Sequence, residues 1–278
     1  MTKISSYYLP ATVREAASRL SKPGAAVIAG STLAARNLPA GTMAAVDLRS
    51  LPLKYIKADA KGLHLGACAT FSDILDSKTA CAWAGGILRS AAFKVSSQLI
   101  RNMATVGGNI ARPMPYNHLP PVFAALDAKV LVAAKGKTAY YQFGELAGKP
   151  LADTLGKKAL IVEVLLPAAT KNMRGVFEKF SKAPSMWESY ALVAAALAFK
   201  NGVCSGAGVA LGAAVPRVVR LAAVEAALIG SPVTEKTAGA AVSAAPDGLE
   251  LGAQREYKRE LLPVLIRRAI IAAAREDK

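Results

Sequence analysis

Cysteine and histidine are both scarce in this sequence. Its 278 residues contain three cysteines, Cys68, Cys81 and Cys204, which stand far apart and form no C-x-x-C pair. Metal and iron–sulfur sites are built from closely spaced thiolate or imidazole ligands, so the sequence predicts no metal site and no cluster in this chain. Each cysteine is expected to pack as a small apolar residue in a reducing compartment.

Long apolar runs and a signal peptide are also missing. The longest apolar run, residues 190–199, has ten residues and is followed by Lys200, which is about half the length that a membrane-spanning helix requires. Residues 1–20 carry polar and charged side chains where a signal peptide needs an unbroken apolar segment. These features predict a cytoplasmic protein with no membrane span.

The short motifs of hydrolytic enzymes are absent too. The sequence contains no G-x-S-x-G elbow, no P-loop and no H-E-x-x-H segment. One of its two histidines, His64, alternates with Leu63 and Leu65, a pattern that favours an exposed position on a strand over a ligand role. Hydrolysis and metal-assisted chemistry therefore have little support.

Positively charged residues clearly outnumber negatively charged ones. The chain has 35 Lys and Arg residues against 19 Asp and Glu residues, a formal net charge of +16. A positive field of this size attracts nucleic acids, anionic lipids, acidic proteins or phosphate-bearing cofactors. A nucleic-acid groove requires basic residues that alternate with aromatic ones. Here the basic residues are spread along the chain and seldom have aromatic neighbours. We therefore expect no nucleic-acid partner.

Hydrophobic residues make up 53% of the chain, enough for a large core, and their spacing predicts a mixed α and β protein. Asn201-Gly202 predicts a tight hairpin turn. The segment 98–109 is expected to end in a turn at Gly107-Gly108. Strands are predicted at 25–29, 44–48, 63–67, 129–133, 160–166, 176–180, 191–199 and 203–215, and helices at 11–20, 82–96, 119–126, 221–229 and 257–274.

Three glycines, Gly206, Gly208 and Gly212, approximate a dinucleotide-binding fingerprint. That fingerprint requires a strand, a glycine-rich loop and then a helix. Here the glycines fall within the second strand of the predicted hairpin. Close packing of that strand is favoured over phosphate binding.

Two turns of small residues, 29–32 and 105–109, are the candidate binding segments. Consecutive backbone amides near glycine form a concavity for anions, and hydroxyl or amide side chains can complete the hydrogen bonds. A pyrophosphate would fit such a pair of turns. Ordinary turns have the same composition, and each segment taken alone favours that simpler interpretation.

Several segments in one order resemble a known family, the FAD-binding medium subunits of the molybdenum hydroxylases, which include xanthine dehydrogenase and aerobic carbon monoxide dehydrogenase. The resemblance extends over essentially the whole chain. Its segments are VIAGSTLAARNL (27–38), VDLRSLPLKYI (46–56), GLHLGACATFSDI (62–74), IRNMATVGGNIA (100–111), LPPVFAALDAKV (119–130), VEVLLP (162–167), FEKFSK (177–182), GVALGAAVPRVVR (208–220) and REYKRELLPVLIRRA (255–269).

The resemblance implies an α+β fold with two domains. Residues 1–167 correspond to a two-part FAD-binding domain of the vanillyl-alcohol-oxidase (PCMH) type, with subparts at about 1–56 and 57–167. Residues 168–278 correspond to a C-terminal α+β lobe of the CO dehydrogenase flavoprotein type.

The same resemblance implies the FAD site. Ile161 would line the adenine or flavin environment, and Lys179 would supply a cation near the cofactor, although without the resemblance Lys179 reads as a solvated strand lysine. His118 stands where relatives commonly have aspartate, and one nitrogen of a neutral imidazole can accept a hydrogen bond in its place. The pyrophosphate segments comprise Val27, Ile28, Ala29, Gly30, Ser31, Thr32, Leu33, Ala34, Thr105, Val106, Gly107, Gly108 and Asn109.

Two residues depart from the family pattern. Relatives often read A-G-G-T-D-L in the first turn, whereas this chain has Ser31 for the second glycine and Leu33 for the acidic residue. Ser31 can still expose its amide and adds a hydroxyl, but its Cβ restricts the φ and ψ angles that the backbone can adopt.

The resemblance further implies an oxidoreductase subunit without a catalytic side chain of its own. It would bind FAD, receive electrons from two [2Fe–2S] clusters in a small partner subunit and deliver them to an external acceptor. A large subunit would carry the molybdenum cofactor, in a dimer of heterotrimers. Two alternatives stay open: a flavin-free structural subunit of such a complex, and a free-standing FAD-dependent oxidoreductase of the same fold.

Overall fold

The computed structural model describes residues 4–33, 37–134, 136–147, 149, 151–156 and 159–275, whose strands form three sheets. The first sheet is parallel, in the order β1–β3–β2, and contains β1 (Ser6–Tyr8), β2 (Ala25–Ile28) and β3 (Ala44–Asp47). The second is antiparallel, in the order β4–β5–β8–β6–β7, and contains β4 (Ile56–Ala58), β5 (Gly62–Gly66), β6 (Lys129–Ala134), β7 (Lys137–Gln142) and β8 (Leu160–Pro167). The third is antiparallel, in the order β12–β11–β10–β9, and contains β9 (Arg174–Phe180), β10 (Ala191–Lys200), β11 (Val203–Gly212) and β12 (Val219–Arg220).

Along the described part of the chain, six helices lie between β5 and β6 and three follow β12. None of the helices in the described part of the chain is both long and apolar enough to cross a membrane. They are α1 (Val13–Leu20), α2 (Phe71–Asp76), α3 (Lys78–Ala82), α4 (Ile87–Phe93), α5 (Gln98–Met103), α6 (Val106–Ala111), α7 (Leu119–Ala125), α8 (Phe143–Leu146), α9 (Leu151–Leu155), α10 (Ala222–Leu228), α11 (Glu235–Ser243) and α12 (Arg255–Ala274).

Strand β10 is buried on both faces. Leu192 and Ala194 belong to the core shared with the first two sheets, whereas Val193 and Ala195 belong to a second core against α10, α11 and α12. A strand covered on both sides needs apolar residues at every position. This explains the unbroken apolar run in the sequence.

The hairpin between β10 and β11 has the predicted turn. Asn201 and Gly202 both have positive φ, 52° and 76°, as a type I′ turn requires. Gly208 lies inside β11, where an added Cβ would come 1.9 Å from the carbonyl oxygen of Ala125 at the end of α7. The interpretation of these glycines as strand-packing residues is confirmed.

Two predictions for the middle of the chain are wrong. The predicted helix 82–96 is broken, because Ala84 and Gly85 have positive φ inside the 3-10 segment Trp83–Gly86, and α4 begins only at Ile87. The predicted turn at Gly107-Gly108 is instead the first turn of α6. Thr105 has extended backbone there, and its hydroxyl accepts a hydrogen bond from the N–H of Gly108 at 3.1 Å, which caps the helix.

The prediction that His64 is an exposed strand residue is also wrong. His64 is 5% exposed, since β8 pairs with β5 and places Glu163 beside it. Nδ1 of His64 lies 2.8 Å from one oxygen of Glu163, and Nε2 lies 2.9 Å from Asp59. Glu163 also accepts hydrogen bonds from the hydroxyls of Tyr55 (2.6 Å) and Tyr140 (2.7 Å). These five residues form a polar cluster on the second sheet.

Candidate functional site

The first candidate segment, residues 29–33, leaves the carboxyl end of β2 in the parallel sheet. No described residue accepts a hydrogen bond from the backbone N–H groups of Gly30, Ser31, Thr32 or Leu33. Main-chain donors in proteins are almost always paired, so a row of donors without acceptors among the described residues is a candidate for binding a ligand. Carboxyl ends of parallel strands are also where ligands bind in open sheets.

In the second candidate segment, residues 105–109, the backbone amides donate hydrogen bonds within the protein. The N–H groups of Val106 and Gly107 donate to the carbonyls of Ala69 and Ala67, each at 2.8 Å. The N–H of Asn109 donates to the carbonyl of Thr105 at 3.0 Å. The N–H of Gly108 is occupied as well, by the hydroxyl of Thr105. The prediction that these consecutive amides form an open anion-binding concavity is therefore wrong. The segment serves instead as a rigid support whose exposed member is Gly108.

The two segments lie against each other. An added Cβ on Gly30 would come 1.6 Å from the carbonyl oxygen of Met103, at the end of α5. On the other side of the first segment, Nη1 of Arg112 donates to the carbonyl of Asn37 at 2.9 Å. The first segment is thus held against the end of α5, just before the residues that lead into α6.

Ile161 is connected to the same region through α6. The N–H of Ala67 donates to the carbonyl of Val162 at 2.9 Å, which ties β8 to the segment beneath Gly107. Ile161 is buried and lines a pocket together with Ile110 and Phe143. Lys149 and Arg217 also line this pocket, so its walls combine apolar side chains with two cations.

His118 lies in the packed interior at the start of α7. Its Nδ1 donates to the carbonyl of Ala91 at 2.9 Å, and its ring centroid is 5.2 Å from that of Phe177. Burial lowers the pKa of His118 to about 4; the bond to Ala91 opposes this shift, and the cations of Lys179 and Lys94 add to it. His118 is therefore neutral at pH 7.

Lys179 is a fixed cation and not a solvated strand lysine. Its Nζ donates to three carbonyls, those of Lys94 (3.1 Å), Pro184 (3.1 Å) and Met186 (2.7 Å). Three donors and three acceptors satisfy the ammonium group. Burial and the neighbouring Lys94 lower the pKa of Lys179. The side chain joins the end of α4 to the segment after β9.

The structure thus places the first segment at the end of α5 and Ile161 in a pocket that Ile110 of α6 also lines. His118 and Lys179 lie elsewhere, against Ala91 and Lys94 of the α4 region. Two residues of this region were not predicted from the sequence: Met103, whose carbonyl contacts the first segment, and Asn117, whose Nδ2 donates to the carbonyl of Asn109 at 2.6 Å. The only sequence feature that points to either residue is its closeness to Gly107 and Gly108 in the chain. Ala34, also predicted to bind the cofactor, lies outside the described residues.

Ser31 has a left-handed backbone, with φ of 55°. A Cβ makes this conformation unfavourable, by roughly 1–2 kcal/mol, and glycine removes that cost but loses more entropy on folding. We expect Ser31→Gly to raise the free energy of unfolding by about 0.5–1 kcal/mol in denaturant titrations. Ser31→Ala keeps the Cβ and should bring no gain. An equal gain from both variants would mean that backbone strain is not the cause.

Comparison with known proteins identifies the family. Residues 2–169 match the FAD binding domain in molybdopterin dehydrogenase, and residues 178–273 match the CO dehydrogenase flavoprotein C-terminal domain. The carbon monoxide dehydrogenase medium chain of Hydrogenophaga pseudoflava is 26% identical, with 96% of each chain covered. The 6-hydroxypseudooxynicotine dehydrogenase complex subunit alpha of Paenarthrobacter nicotinovorans is 26% identical, with 82% of this chain and 78% of that chain covered.

Solved structures show the same relationship. A chain of the Hydrogenophaga pseudoflava carbon monoxide dehydrogenase superposes with a TM-score of 0.88 at 25% identity, covering 98% of this chain and 97% of that one. A chain of quinoline 2-oxidoreductase from Pseudomonas putida 86 gives 0.87 at 26% identity, covering 99% and 98%. The predicted α+β fold, with an FAD-binding part followed by a flavoprotein C-terminal part, is confirmed. This chain belongs to the family of FAD-binding medium subunits of molybdenum hydroxylases and is an oxidoreductase flavoprotein subunit.

Proposed function

We propose that this chain is the electron-transfer subunit of a heterotrimeric molybdenum hydroxylase. In this proposal it receives electrons from the [2Fe–2S] clusters of a small partner subunit and passes them to an external acceptor. A large partner subunit holds the molybdenum cofactor, and two heterotrimers associate. The observation that carries the proposal is the row of amides at residues 30–33, from which no described residue accepts a hydrogen bond and which is held against the end of α5.

The residues present fit FAD. The amides of Gly30, Ser31, Thr32 and Leu33 can donate to the two phosphates, which is the role that a backbone concavity plays for anions. Relatives often have glycine at the position of Ser31, and the serine hydroxyl adds a hydrogen-bond donor there. Thr105 and Gly108 shape the facing wall. The proposed cofactor segments are residues 27–34 and 105–109.

Ile161, Lys179 and His118 complete the proposed site. Ile161 offers an apolar wall to the adenine or flavin ring. Lys179 contributes a positive charge that cannot swing away, because three carbonyls hold its ammonium group. His118 donates through Nδ1 to Ala91, which leaves Nε2 as the acceptor of its neutral imidazole for a ribose or adenine hydrogen bond.

When bound, FAD supplies the redox chemistry, and the protein orients it and adjusts its potential. No side chain has to act as a general acid or base in this role. The net charge of +16 favours an acidic acceptor or partner through long-range attraction.

The test is the visible absorption spectrum of the purified chain after incubation with FAD and removal of free cofactor. We expect about one retained FAD per chain, identified by chromatography after release. The complex isolated from the producing organism serves as the second sample, because cofactor retention can depend on partner subunits. A folded chain that is colourless both alone and in that complex contradicts the proposal and favours the flavin-free structural subunit.

A further inference from the structure

Helix α5 presents its polar side to the protein and its apolar side to solvent. None of its residues is buried. Nε2 of Gln98 donates to Ser72 on α2 (3.2 Å) and to Asn102 (2.8 Å), and the Ser72 hydroxyl donates to Asn102 (2.6 Å). Leu99 and Met103, one turn apart, are 74% and 50% exposed. This is the reverse of the arrangement in a surface helix of a monomeric protein.

Phe93, at the end of α4, extends the exposed apolar surface and is itself 69% exposed. The guanidinium of Arg101 lies 5.8 Å from the centre of its ring, and Nη2 of Arg101 donates to Gln98 at 2.9 Å, so Phe93 and α5 are held side by side. Arg89 precedes Phe93 by one helical turn and is exposed. We name Phe93, Leu99 and Met103 the α5 patch; its margin is basic.

We propose that the α5 patch is the surface on which the iron–sulfur partner docks, an inference that rests on the proposed function. The patch adjoins the cofactor segment, since the carbonyl of Met103 lies directly against Gly30. A protein that hands electrons to a cofactor bound there has to dock beside it. Clustered large apolar side chains with a polar or charged margin are the usual composition of a protein interface.

The charge of the margin selects the kind of occupant. Arg89 and Arg101 complement an acidic rim on a partner, and the net charge of +16 acts in the same direction at long range. A second copy of this chain would place the same arginines against each other across a twofold axis, where like charges repel. The partner is therefore a different protein, with an apolar centre and an acidic margin around its cluster.

The experiment compares two double variants in the complex isolated from the producing organism through a tag on this chain. Phe93→Asp/Leu99→Asp changes the α5 patch and spares Met103, and Ile229→Asp/Val264→Asp changes two apolar residues of the C-terminal lobe that are 50% and 53% exposed. The readouts are FAD per chain and the electron paramagnetic resonance signal of reduced [2Fe–2S] centres per chain. We expect the patch variant to lose the cluster signal by about tenfold or more, because buried unpaired carboxylates oppose docking. The control should keep it.

FAD loading of each isolated variant distinguishes loss of cofactor binding from loss of partner docking. A patch variant that binds FAD as the unmodified chain does, yet loses the cluster signal, supports docking at the patch. Retained cluster signal, or equal loss in the control, overturns it, as does loss of FAD from the isolated patch variant. A change only in self-association, or only in binding to anionic phospholipid vesicles, assigns the patch to another occupant and also overturns it. An unmodified complex without FAD refutes the proposed function, while its cluster signal still tests the patch.

Discussion

Replacing Gly30 by alanine is expected to abolish FAD retention and leave the chain folded. Gly30 does not have positive φ, so alanine can adopt its backbone conformation without strain. The new Cβ would lie 1.6 Å from the carbonyl oxygen of Met103, and a backbone atom cannot rotate away as a side chain can. The segment must move off its support. Loss of two hydrogen bonds to a charged phosphate, at about 1.5–3 kcal/mol each, weakens FAD binding by about 100-fold or more.

The measurement is FAD affinity by fluorescence titration, with the unfolding midpoint recorded in parallel. Gly239→Ala on α11 is the matched control, because Gly239 also lacks positive φ and nothing stands within 4 Å of its added Cβ. Alanine there should leave FAD binding unchanged and favour the helix. Unchanged FAD affinity in Gly30→Ala would contradict the placement of the pyrophosphate at this segment.

Replacing Glu163 by leucine is expected to lower the free energy of unfolding by about 3 kcal/mol. The carboxylate is the common acceptor for His64, Tyr55 and Tyr140. Its removal leaves the buried His64 and the half-buried Tyr55 without their partner, whereas Tyr140 is 43% exposed and can bond to water. Breaking a buried ion pair costs roughly 3–5 kcal/mol. Asp59→Asn is the control at the half-exposed edge of the same cluster. It should cost less than about 1 kcal/mol.

The cluster also predicts a pH dependence. Burial alone would lower the pKa of His64, but its contacts with Glu163 and Asp59 outweigh burial and raise it. Burial alone would raise the pKa of Glu163, but hydrogen bonds from Tyr55, Tyr140 and His64 outweigh burial and lower it. The contribution of His64 is thus full below its ordinary pKa near 6.5 and is lost as pH rises through the elevated value. The contribution of Glu163 is full above its ordinary pKa and is lost as pH falls through the lowered value.

The stabilisation that the cluster provides should therefore be greatest between about pH 4.5 and 6.5. The measurement is the difference in unfolding free energy between the unmodified chain and Glu163→Gln across pH, because the contribution of His118 cancels in that difference. A difference that is the same at every pH would show that the titration of His64 and Glu163 does not bear on folding.

The sequence predicted those elements whose signal is local. The turn at Asn201-Gly202 needs only its own two residues, and the apolar runs of β8 and β10 are long enough to identify. Strands β1 and β12 have three and two residues, too few for any periodicity. They exist because they pair with distant strands, as Ser6 does with Ala44.

The candidate site divides in the same way. The two glycine-containing segments were recognisable from composition and order. That Gly30 meets Met103, and that Ala67 and Ala69 occupy the amides of α6, depends on residues about 40 to 70 positions apart. His64 illustrates the limit of alternation as a signal. Alternation separates the two faces of a strand but does not reveal that Glu163 covers the polar one.

The double burial of β10 also bears on how the chain can change over generations. Ala194 and Ala195 are neighbours, yet one belongs to the core of the cofactor-binding part and the other to the core of the C-terminal part. An enlarged side chain at either position disturbs one part and, through the shared backbone, the other. The two parts match separate family models, but here they share a strand. We expect exchange of one part for that of a distant relative to leave a mismatched core along β10.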